Sequence, residues 1–188
     1  MARRERLSEY RRKRDFGQTA EPRARRGRSR RKPHFVAQHH AATSDHYDFR
    51  LEIDGVLVSW AVPKGPSTDP RDKRMARRTE DHPLDYEKFE GVIPEGEYGA
   101  GPVIVWDRGT FENGGDRPLD EALQRGHLSV ELDGEKLHGG YALTRMRSGR
   151  GETWLLVKRS DSDAEARRRP VRSQPESVLS GRTLDELE

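Results

Sequence analysis

The sequence predicts a mainly β protein: a compact antiparallel β-barrel with short flanking helices and a flexible basic N-terminal arm. Short apolar runs recur along the chain and are separated by glycine- and proline-rich turns. Asp54-Gly55 lies between two such runs and is a strong signal for a two-residue hairpin turn. Polar and apolar side chains alternate over residues 45–53, as on a strand with two different faces. Many short strands at this spacing are typical of an antiparallel sandwich or barrel.

Each predicted strand is an apolar or alternating run that ends at a turn residue. Trp60, Trp106 and Trp154 lie in such runs, which favours a place in the core over a base-stacking role. Strands are expected over residues 35–38, 45–53, 56–62, 75–79, 127–132, 140–145 and 154–158, with a strand, a turn and a second strand over residues 103–111.

Two short helices and one bending loop complete the predicted elements. Residues 7–16 and 118–125 suit helices, the second with Asp116 as a cap and Gly126 as its end. Residues 91–101 are rich in glycine, so we expect a loop whose backbone approaches another group closely.

Composition limits the classes of protein and site. The chain of 188 residues is 31% hydrophobic and 37% charged, so part of it is expected to lie outside a packed core. It has no cysteine, which excludes disulfides and thiolate metal sites. No apolar run approaches the ~20 residues of a membrane span, and the start does not resemble a signal peptide. We therefore expect a cytoplasmic protein without membrane contact.

Charge divides the chain into three predicted parts. Residues 1–33 hold 14 Lys and Arg against 4 Asp and Glu, and are expected to be a basic segment with a short helix and a flexible linker. Residues 34–160 hold 17 against 22 and form the predicted barrel domain. Residues 161–188 hold 5 against 7 and are expected to be a mobile tail. The arm suits either a solubilising leader or a polyanion held near a cation site.

One strand carries a row of polar side chains that an ordinary surface strand does not need. His46, Asp48 and Arg50 alternate with apolar residues, so all three share one face. His40 can fold back towards them from a preceding loop. Two imidazoles and one carboxylate suit a divalent transition ion, manganese or zinc above all, although satisfied surface histidines would give the same pattern. Because Arg50 is a cation beside a cation site, it indicates an anion between them, and guanidinium binds phosphate well.

A second polar cluster follows the predicted strand at residues 75–79. If the strand continues, Arg74, Arg78, Glu80 and His82 share one face. His82 would donate to a phosphate oxygen or act as an acid, with Glu80 orienting it. The alternative is a charged edge strand that ends at Pro83.

At these residues the sequence resembles a known family, the 3′-phosphoesterase domain of bacterial DNA ligase D. The resemblance runs from about Leu7 to Lys158 and is strongest in four long motifs. The N-terminal segment around Arg14 and Glu21 matches as well. The domain is expected to be free-standing here, since the chain has no room for ligase or polymerase modules. The motifs are residues 38–50, 54–67, 80–86 and 89–99.

The resemblance implies a small β-barrel enzyme that processes 3′ ends of primer-template DNA in non-homologous end joining. Such enzymes use Mn²⁺, for which Zn²⁺, Co²⁺ or another divalent ion could substitute. They remove a terminal ribonucleoside and hydrolyse the remaining 3′-phosphate. DNA ligase D and a Ku-type end-binding protein are the implied protein partners. By motif match, the metal ligands are His40, His46 and Asp48, the phosphate-holding groups are Arg50 and His82, and further activity-dependent residues are Arg14, Asp15, Glu21, Arg74, Glu80 and Tyr86.

Two positions depart from the family pattern. Ala41 stands where the family usually has Asp or His, and Ser44 stands where an arginine is usual. Neither change removes a proposed ligand. Losing the arginine is expected to weaken substrate binding, an effect that the arm over residues 23–32 would offset.

Two other functions stay open on sequence alone. A non-catalytic DNA-end-binding repair module would use the arm for salt-dependent affinity and keep the polar strand as a relic. A structural cation-binding β-domain of another enzyme class, such as a metal-dependent oxygenase, is disfavoured by the row of arginines.

Overall fold

The structure is a computed structural model that describes residues 6–25, 27–28, 30–147 and 151–187. The described residues form nine β-strands, three short α-helices and two 3₁₀ helices. None of these helices is long and apolar enough to cross a membrane. The strands are β1 (His34–Ala41), β2 (Asp45–Ile53), β3 (Val56–Val62), β4 (Arg74–Arg78), β5 (Gly91–Ile93), β6 (Gly101–Asn113), β7 (His127–Gly134), β8 (His138–Arg147) and β9 (Thr153–Lys158); the α-helices are α1 (Ser8–Arg12), α2 (Leu119–Arg125) and α3 (Pro170–Ser173); the 3₁₀ helices are Leu84–Lys88 and Leu184–Leu187.

Eight of the strands form a closed antiparallel barrel, which confirms the predicted fold class. The strands follow the order β1-β2-β3-β4-β9-β8-β7-β6, and β6 pairs with β1 to close the ring. The short strand β5 pairs with β6 outside this ring. The Asp54-Gly55 hairpin joins β2 to β3 as predicted, with positive φ at both residues.

The interior of the barrel is apolar. Alternate residues of β2, including Phe49 and Leu51, are fully buried there together with the three tryptophans. The rings of Trp60 and Trp154 meet edge to face at 5.5 Å, so the prediction that the tryptophans are core residues is confirmed. Because the inner face of β2 is filled, its polar residues lie on the outer wall of the barrel.

A smaller apolar cluster covers part of that outer wall. Val36 and Leu57 contribute from the barrel, Tyr10 from α1, and Leu84 and Tyr86 from the first 3₁₀ helix. The polar row of β2 is thus enclosed between the barrel wall and the N-terminal helix.

Strand β6 differs from the sequence prediction of two strands and a turn. It runs unbroken for 13 residues, and Asp107 lies in its middle with a fully buried side chain. The Asp107 carboxylate accepts hydrogen bonds from the backbone N–H groups of Glu135, Lys136 and Leu137. Asp107 therefore secures the hairpin between β7 and β8. A Cβ on Gly109 would lie 2.0 Å from the Asp133 carbonyl oxygen, so glycine here permits close strand approach.

The helices are shorter than predicted. Helix α1 has five residues, and α2 begins at Leu119 with Pro118 as its N-cap residue and no side-chain cap. The prediction that Asp116 caps α2 is therefore wrong. Gly126 ends α2 in the left-handed region at φ 82°, as predicted.

Both terminal segments contact the barrel. In the N-terminal segment, the Arg30 guanidinium binds Glu52 at 2.7 Å and Glu87 at 2.5 Å. In the C-terminal segment, the backbone carbonyl of Gln174 accepts hydrogen bonds from Trp106 and Lys136. The division at residues 33 and 160, and the mobility of the flanking parts, stay predictions.

Candidate metal centre

The register of three neighbouring strands builds the polar site. His40 on β1 lies directly opposite His46 on β2, and Gln38 lies opposite Asp48. The expectation that His40 folds back from a loop is wrong, because β1 extends to Ala41 and carries it. Across the other edge of β2, Ser59 on β3 lies opposite Arg50. Outward-facing residues of β1, β2 and β3 therefore form one continuous surface.

The three predicted metal ligands converge on one point. One candidate ligand atom from each of His40, His46 and Asp48 lies within 4.8 Å of the other two. Asp48 Oδ2 is 3.4 Å from His40 Nδ1 and 3.2 Å from His46 Nε2. Among the residues that the structure describes, these three form the one cluster of His, Asp or Glu side chains with metal-binding geometry.

Hydrogen bonds to backbone carbonyls determine which nitrogen of each imidazole faces Asp48. His40 donates from Nε2 to the Gly99 carbonyl at 2.6 Å, and His46 donates from Nδ1 to the Ser44 carbonyl at 3.0 Å. In the neutral imidazoles, His40 Nδ1 and His46 Nε2 are then lone-pair acceptors that face the Asp48 carboxylate. Three acceptors this close repel each other unless a cation or a proton lies between them. This donor set fits a divalent transition ion, with both imidazoles oriented by outer hydrogen bonds.

Asp48 is an ionised carboxylate in this setting. Burial works against its charge, but Arg50, together with His40 and His46 when their facing nitrogens carry a proton, outweighs burial and holds the pKa of Asp48 well below its ordinary range. The Arg50 guanidinium lies 3.5 Å from Asp48 Oδ2. A cation bound by Asp48 would therefore have a second positive group beside it, an arrangement that an anion would stabilise.

Arg50 is held rigidly, mostly by neutral groups. It donates from Nε to Gln38 Oε1 at 2.7 Å and from one terminal nitrogen to Ser59 Oγ at 2.9 Å. The Tyr86 ring lies beneath the guanidinium at 4.9 Å. Gln38 is itself fixed, because its amide donates to the Tyr86 and Phe89 backbone carbonyls. Because Asp48 compensates the charge of Arg50 only in part, the guanidinium can bind a further anion.

His82 is buried beside Arg50 and lacks a full charge partner. Burial, Arg50 and Arg14 together hold the pKa of His82 well below its ordinary value, so the ring is neutral in the free protein. Its Nδ1 lies 2.9 Å from the backbone carbonyl of Glu80, and its Nε2 lies 3.4 Å from Arg14. The carbonyl of Glu80, and not its carboxylate, orients the ring.

Arg14, Glu21, Glu80 and Tyr86 form one buried network. Arg14 binds Glu21 at 2.9 Å and Glu80 at 3.3 Å, and Tyr86 donates its hydroxyl to Glu21 at 2.6 Å. Burial opposes the charge of Arg14, but Glu21 and Tyr86 outweigh burial and raise its pKa. Burial and Glu21 raise the pKa of Tyr86 well above its ordinary value, so its phenol stays protonated. Tyr86 thus acts as a fixed donor.

Most of the predicted site residues line one cavity of about 430 Å³ on the outer wall. Two predicted site residues lie elsewhere. Asp15 is exposed and accepts a hydrogen bond from the Gly17 backbone, and Arg74 lines an adjoining cavity and donates to the Gly65 carbonyl. The predicted site residues in the 430 Å³ cavity are Arg14, His40, His46, Asp48, Arg50, Glu80, His82 and Tyr86, and Glu21 is buried behind Arg14 and Tyr86.

Gln38, Ser59 and Arg77 were not among the predicted site residues, although Arg77 belongs to the second polar cluster of the sequence. Arg77 lies opposite Ala61 and lines the cavity together with Met75. The predicted shared face of Arg74, Arg78, Glu80 and His82 is wrong, because β4 ends at Arg78 and Ala76 turns into the core. Gln38 could have been found, since it shares the parity of His40 on β1.

The turn before β6 reaches the metal cluster, as its glycines predicted. Gly99 has φ 75°, and a Cβ there would lie 3.3 Å from His40 Cε1. Ser44, one of the two departures from the family pattern, orients His46 through its backbone carbonyl. His39 stacks on Tyr47 at 4.2 Å and binds Asp45, away from the three ligands.

A known protein family matches the part of the chain that carries this site. Residues 38–145, which carry the predicted metal ligands and Arg50, match the DNA Ligase D 3'-phosphoesterase domain. The chain belongs to this family. The DNA ligase D resemblance is thereby confirmed.

Three relatives extend the match beyond the domain profile. The multifunctional non-homologous end joining protein LigD of Pseudomonas aeruginosa is 53% identical over 186 residues, which cover 95% of this chain and 22% of that protein. The corresponding repair protein of Mycobacterium tuberculosis is 46% identical over 157 residues, or 80% of this chain and 19% of its own length. The LigD protein of Mycolicibacterium smegmatis is 41% identical over 162 residues, which cover 84% of this chain and 21% of that protein. The chain thus spans about a fifth of each relative.

Proposed function

We propose that this phosphoesterase-family protein is a manganese-dependent enzyme that processes DNA 3′ ends during non-homologous end joining. It removes a 3′-terminal ribonucleoside and hydrolyses the remaining 3′-phosphate. Zn²⁺ or Co²⁺ are alternative ions for the same ligands. The observation that supports this most directly is the convergence of His40, His46 and Asp48 beside the partly compensated guanidinium of Arg50.

The residues divide into ion-binding and phosphate-binding groups. His40, His46 and Asp48 would hold the ion, which as a Lewis acid would polarise a phosphoryl oxygen. Arg50 would bind the phosphate and stabilise charge that develops on its oxygens. His82 is neutral before substrate binds, and the negative charge of an incoming phosphate would favour its protonated, donating form. For ribonucleoside removal, a water molecule would attack the phosphorus, and the 5′-oxygen of the terminal ribonucleoside would leave with a proton. Where the penultimate sugar is a ribose, its 2′-hydroxyl would serve as the nucleophile instead, and water would then open the resulting 2′,3′-cyclic phosphate.

The buried network would position Arg14 at the edge of the same cavity. Glu21, Glu80 and Tyr86 fix its guanidinium within reach of His82. Asp15 and Arg74 stay predicted activity residues although they lie outside this cavity. The family and the end-joining role in the names of the relatives support a DNA end as substrate. DNA ligase D and a Ku-type protein are the partners in this proposal. A cytoplasmic, nucleoid-associated location belongs to the same proposal.

An end-labelled primer-template that ends in one ribonucleotide tests the proposal. We expect Mn²⁺ added to chelator-treated protein to yield first a 3′-phosphate and then a 3′-hydroxyl, separated on one gel. His46→Ala should abolish both products, because it removes one of three ion ligands. His127→Ala is the matched control, since His127 is exposed on β7, where its ring bonds Thr144.

Two outcomes would contradict the proposal. Unchanged turnover in His46→Ala would exclude the metal centre as the reaction site. DNA binding with a steep salt dependence, but no product with any divalent ion, would favour the alternative of a non-catalytic end-binding module.

A further inference from the structure

A second cavity, rich in cationic side chains, adjoins the metal centre. It has a volume of about 640 Å³, and Pro63 lines both cavities. Asp45 borders the second cavity, while its neighbours Ser44 and His46 border the first. The two cavities are therefore separated by little more than the beginning of β2 and the end of β3. The cationic side chains of the second cavity are Lys64, Arg74, Arg168, Arg169 and Arg172.

The carboxylates of this cavity are already engaged. Asp69 binds Arg71 at 3.0 Å, Asp72 accepts from Ser67 Oγ at 2.6 Å, and Asp45 binds His39 at 2.7 Å. By contrast, the side chains of Lys64, Arg169 and Arg172 have no hydrogen-bond or ion-pair partner in the part of the chain that the structure describes. The five cationic side chains of the cavity outnumber its three carboxylates, and an anion between the cations relieves the repulsion that remains.

The segment that carries Arg169 and Arg172 is docked on the barrel. Thr68 donates its hydroxyl to the Glu165 and Arg168 carbonyls at 2.7 and 2.9 Å, and the Glu165 N–H donates to the Thr68 carbonyl. Pro170 is buried, and Val171 packs against the core cluster. The two arginines therefore project from a backbone that hydrogen bonds and apolar contacts attach to the barrel, which lowers the entropic cost of binding an anion.

From this juxtaposition we propose that the basic cavity binds backbone phosphates of the DNA whose 3′ end occupies the metal centre. Arg169 and Arg172 supply contacts to phosphates other than the one at the reacting bond. This inference rests on the proposed function, because it names where the remainder of that substrate lies. A DNA strand presents phosphates at regular spacing and can occupy both cavities at once, which a single small anion cannot do.

The double variant Arg169→Ala/Arg172→Ala tests the cavity by fluorescence anisotropy with a labelled primer-template at several KCl concentrations. We expect Kd to rise about ten-fold and the salt slope to fall by about two, because each phosphate contact contributes about 0.9 to that slope. Arg182→Ala is the matched control, since Arg182 is exposed in the same C-terminal region but lines neither cavity. Thermal unfolding of all variants checks that the fold is retained.

Activity assays separate this inference from the proposed function. The double variant should raise KM for long duplex DNA and leave kcat, and the turnover of a dinucleotide 3′-phosphate, unchanged. If the wild type processes no 3′ end, the proposed function fails, while the anisotropy comparison still tests the cavity. If the wild type is active and the double variant matches it in Kd, salt slope and KM, the cavity does not bind DNA. Displacement of the duplex by polyglutamate at equal charge concentration would show a general anion site and would also overturn the inference.

Discussion

At the scale of single residues, the site depends on side chains that hold other side chains. Gln38 accepts from Arg50 and donates to two backbone carbonyls of the segment around Tyr86. It therefore fixes Arg50 to the wall of the cavity without occupying the ion site. Because phosphate recognition by guanidinium requires a defined orientation, loss of this support should affect reaction more than metal binding.

Gln38→Ala should lower the single-turnover rate of 3′-phosphate release by about ten- to a hundred-fold, since a small displacement of a positioning group carries a cost of this order. Calorimetric Mn²⁺ affinity should stay within about two-fold of the wild type, because no ion ligand is changed. Gln38→Glu, which keeps the acceptor for Arg50 but loses the amide donors, should show an intermediate rate. A variant with normal rate would show that Arg50 does not need Gln38.

His82 makes stability depend on pH. Its pKa is lowered in the folded protein by burial, Arg50 and Arg14, while the unfolded chain keeps an ordinary pKa of about 6.5. The unfolded state therefore binds more protons below about pH 6.5, and stability falls as pH decreases, by at most about 1.4 kcal/mol per pH unit. Urea titrations between pH 7.5 and 5 should show a smaller loss of unfolding free energy for His82→Gln than for wild type. Equal losses would mean that His82 is not held neutral.

At the scale of elements, local pattern predicted strands better than it predicted their ends. The alternation of β2 predicted both the apolar inner face and the polar outer row, because period two follows from strand geometry alone. The extension of β1 to His40 depends on pairing with β2 and β6, which sequence does not display. Likewise, Arg77 faces the site because of its register with β3. The sequence prediction chose Arg74 instead, because it continued the alternation of β4 beyond the residue at which the strand ends.

The turn between β5 and β6 should control the metal centre through Gly99. A side chain at Gly99 would meet φ 75° and lie 3.3 Å from the His40 ring. Gly99→Ala should therefore lower Mn²⁺ affinity by about ten-fold through displacement of His40, and should reduce stability by about 1–2 kcal/mol. Calorimetry and urea unfolding measure the two effects separately.

Gly96→Ala is the matched control for that turn. Gly96 has φ 91°, but a Cβ there would meet nothing within 4 Å. It should lose stability to a similar degree and keep its Mn²⁺ affinity. Equal losses of affinity in both variants would show that the turn acts through backbone strain and not through contact with His40.

At the scale of the whole molecule, the chain outside the barrel completes the site. The family match predicted that Arg14 and Glu21 are needed for activity, but no local pattern showed that they contact Glu80 and Tyr86. Their sequence separations are 66 residues for Arg14 and Glu80 and 65 for Glu21 and Tyr86. The barrel interior could be predicted from period and composition, whereas this long-range polar network could not, because its partners are determined only by docking of the N-terminal segment.

This docking should contribute substantially to the stability of the whole protein. Glu21 has a fully buried side chain that binds Arg14 and accepts from Tyr86. Glu21→Ala removes one member of a buried ion network and leaves Arg14 with Glu80 as its remaining buried carboxylate, so urea unfolding should show a loss of about 3 kcal/mol. Glu95→Ala, which removes an exposed carboxylate in the turn before β6, should change stability by less than about 0.5 kcal/mol.

Combining Glu21→Ala with Tyr86→Phe should lower the free energy of unfolding by less than the sum of the single changes, because the two side chains share one hydrogen bond. Strict additivity would mean that the hydrogen bond between Glu21 and Tyr86 does not couple their contributions to stability.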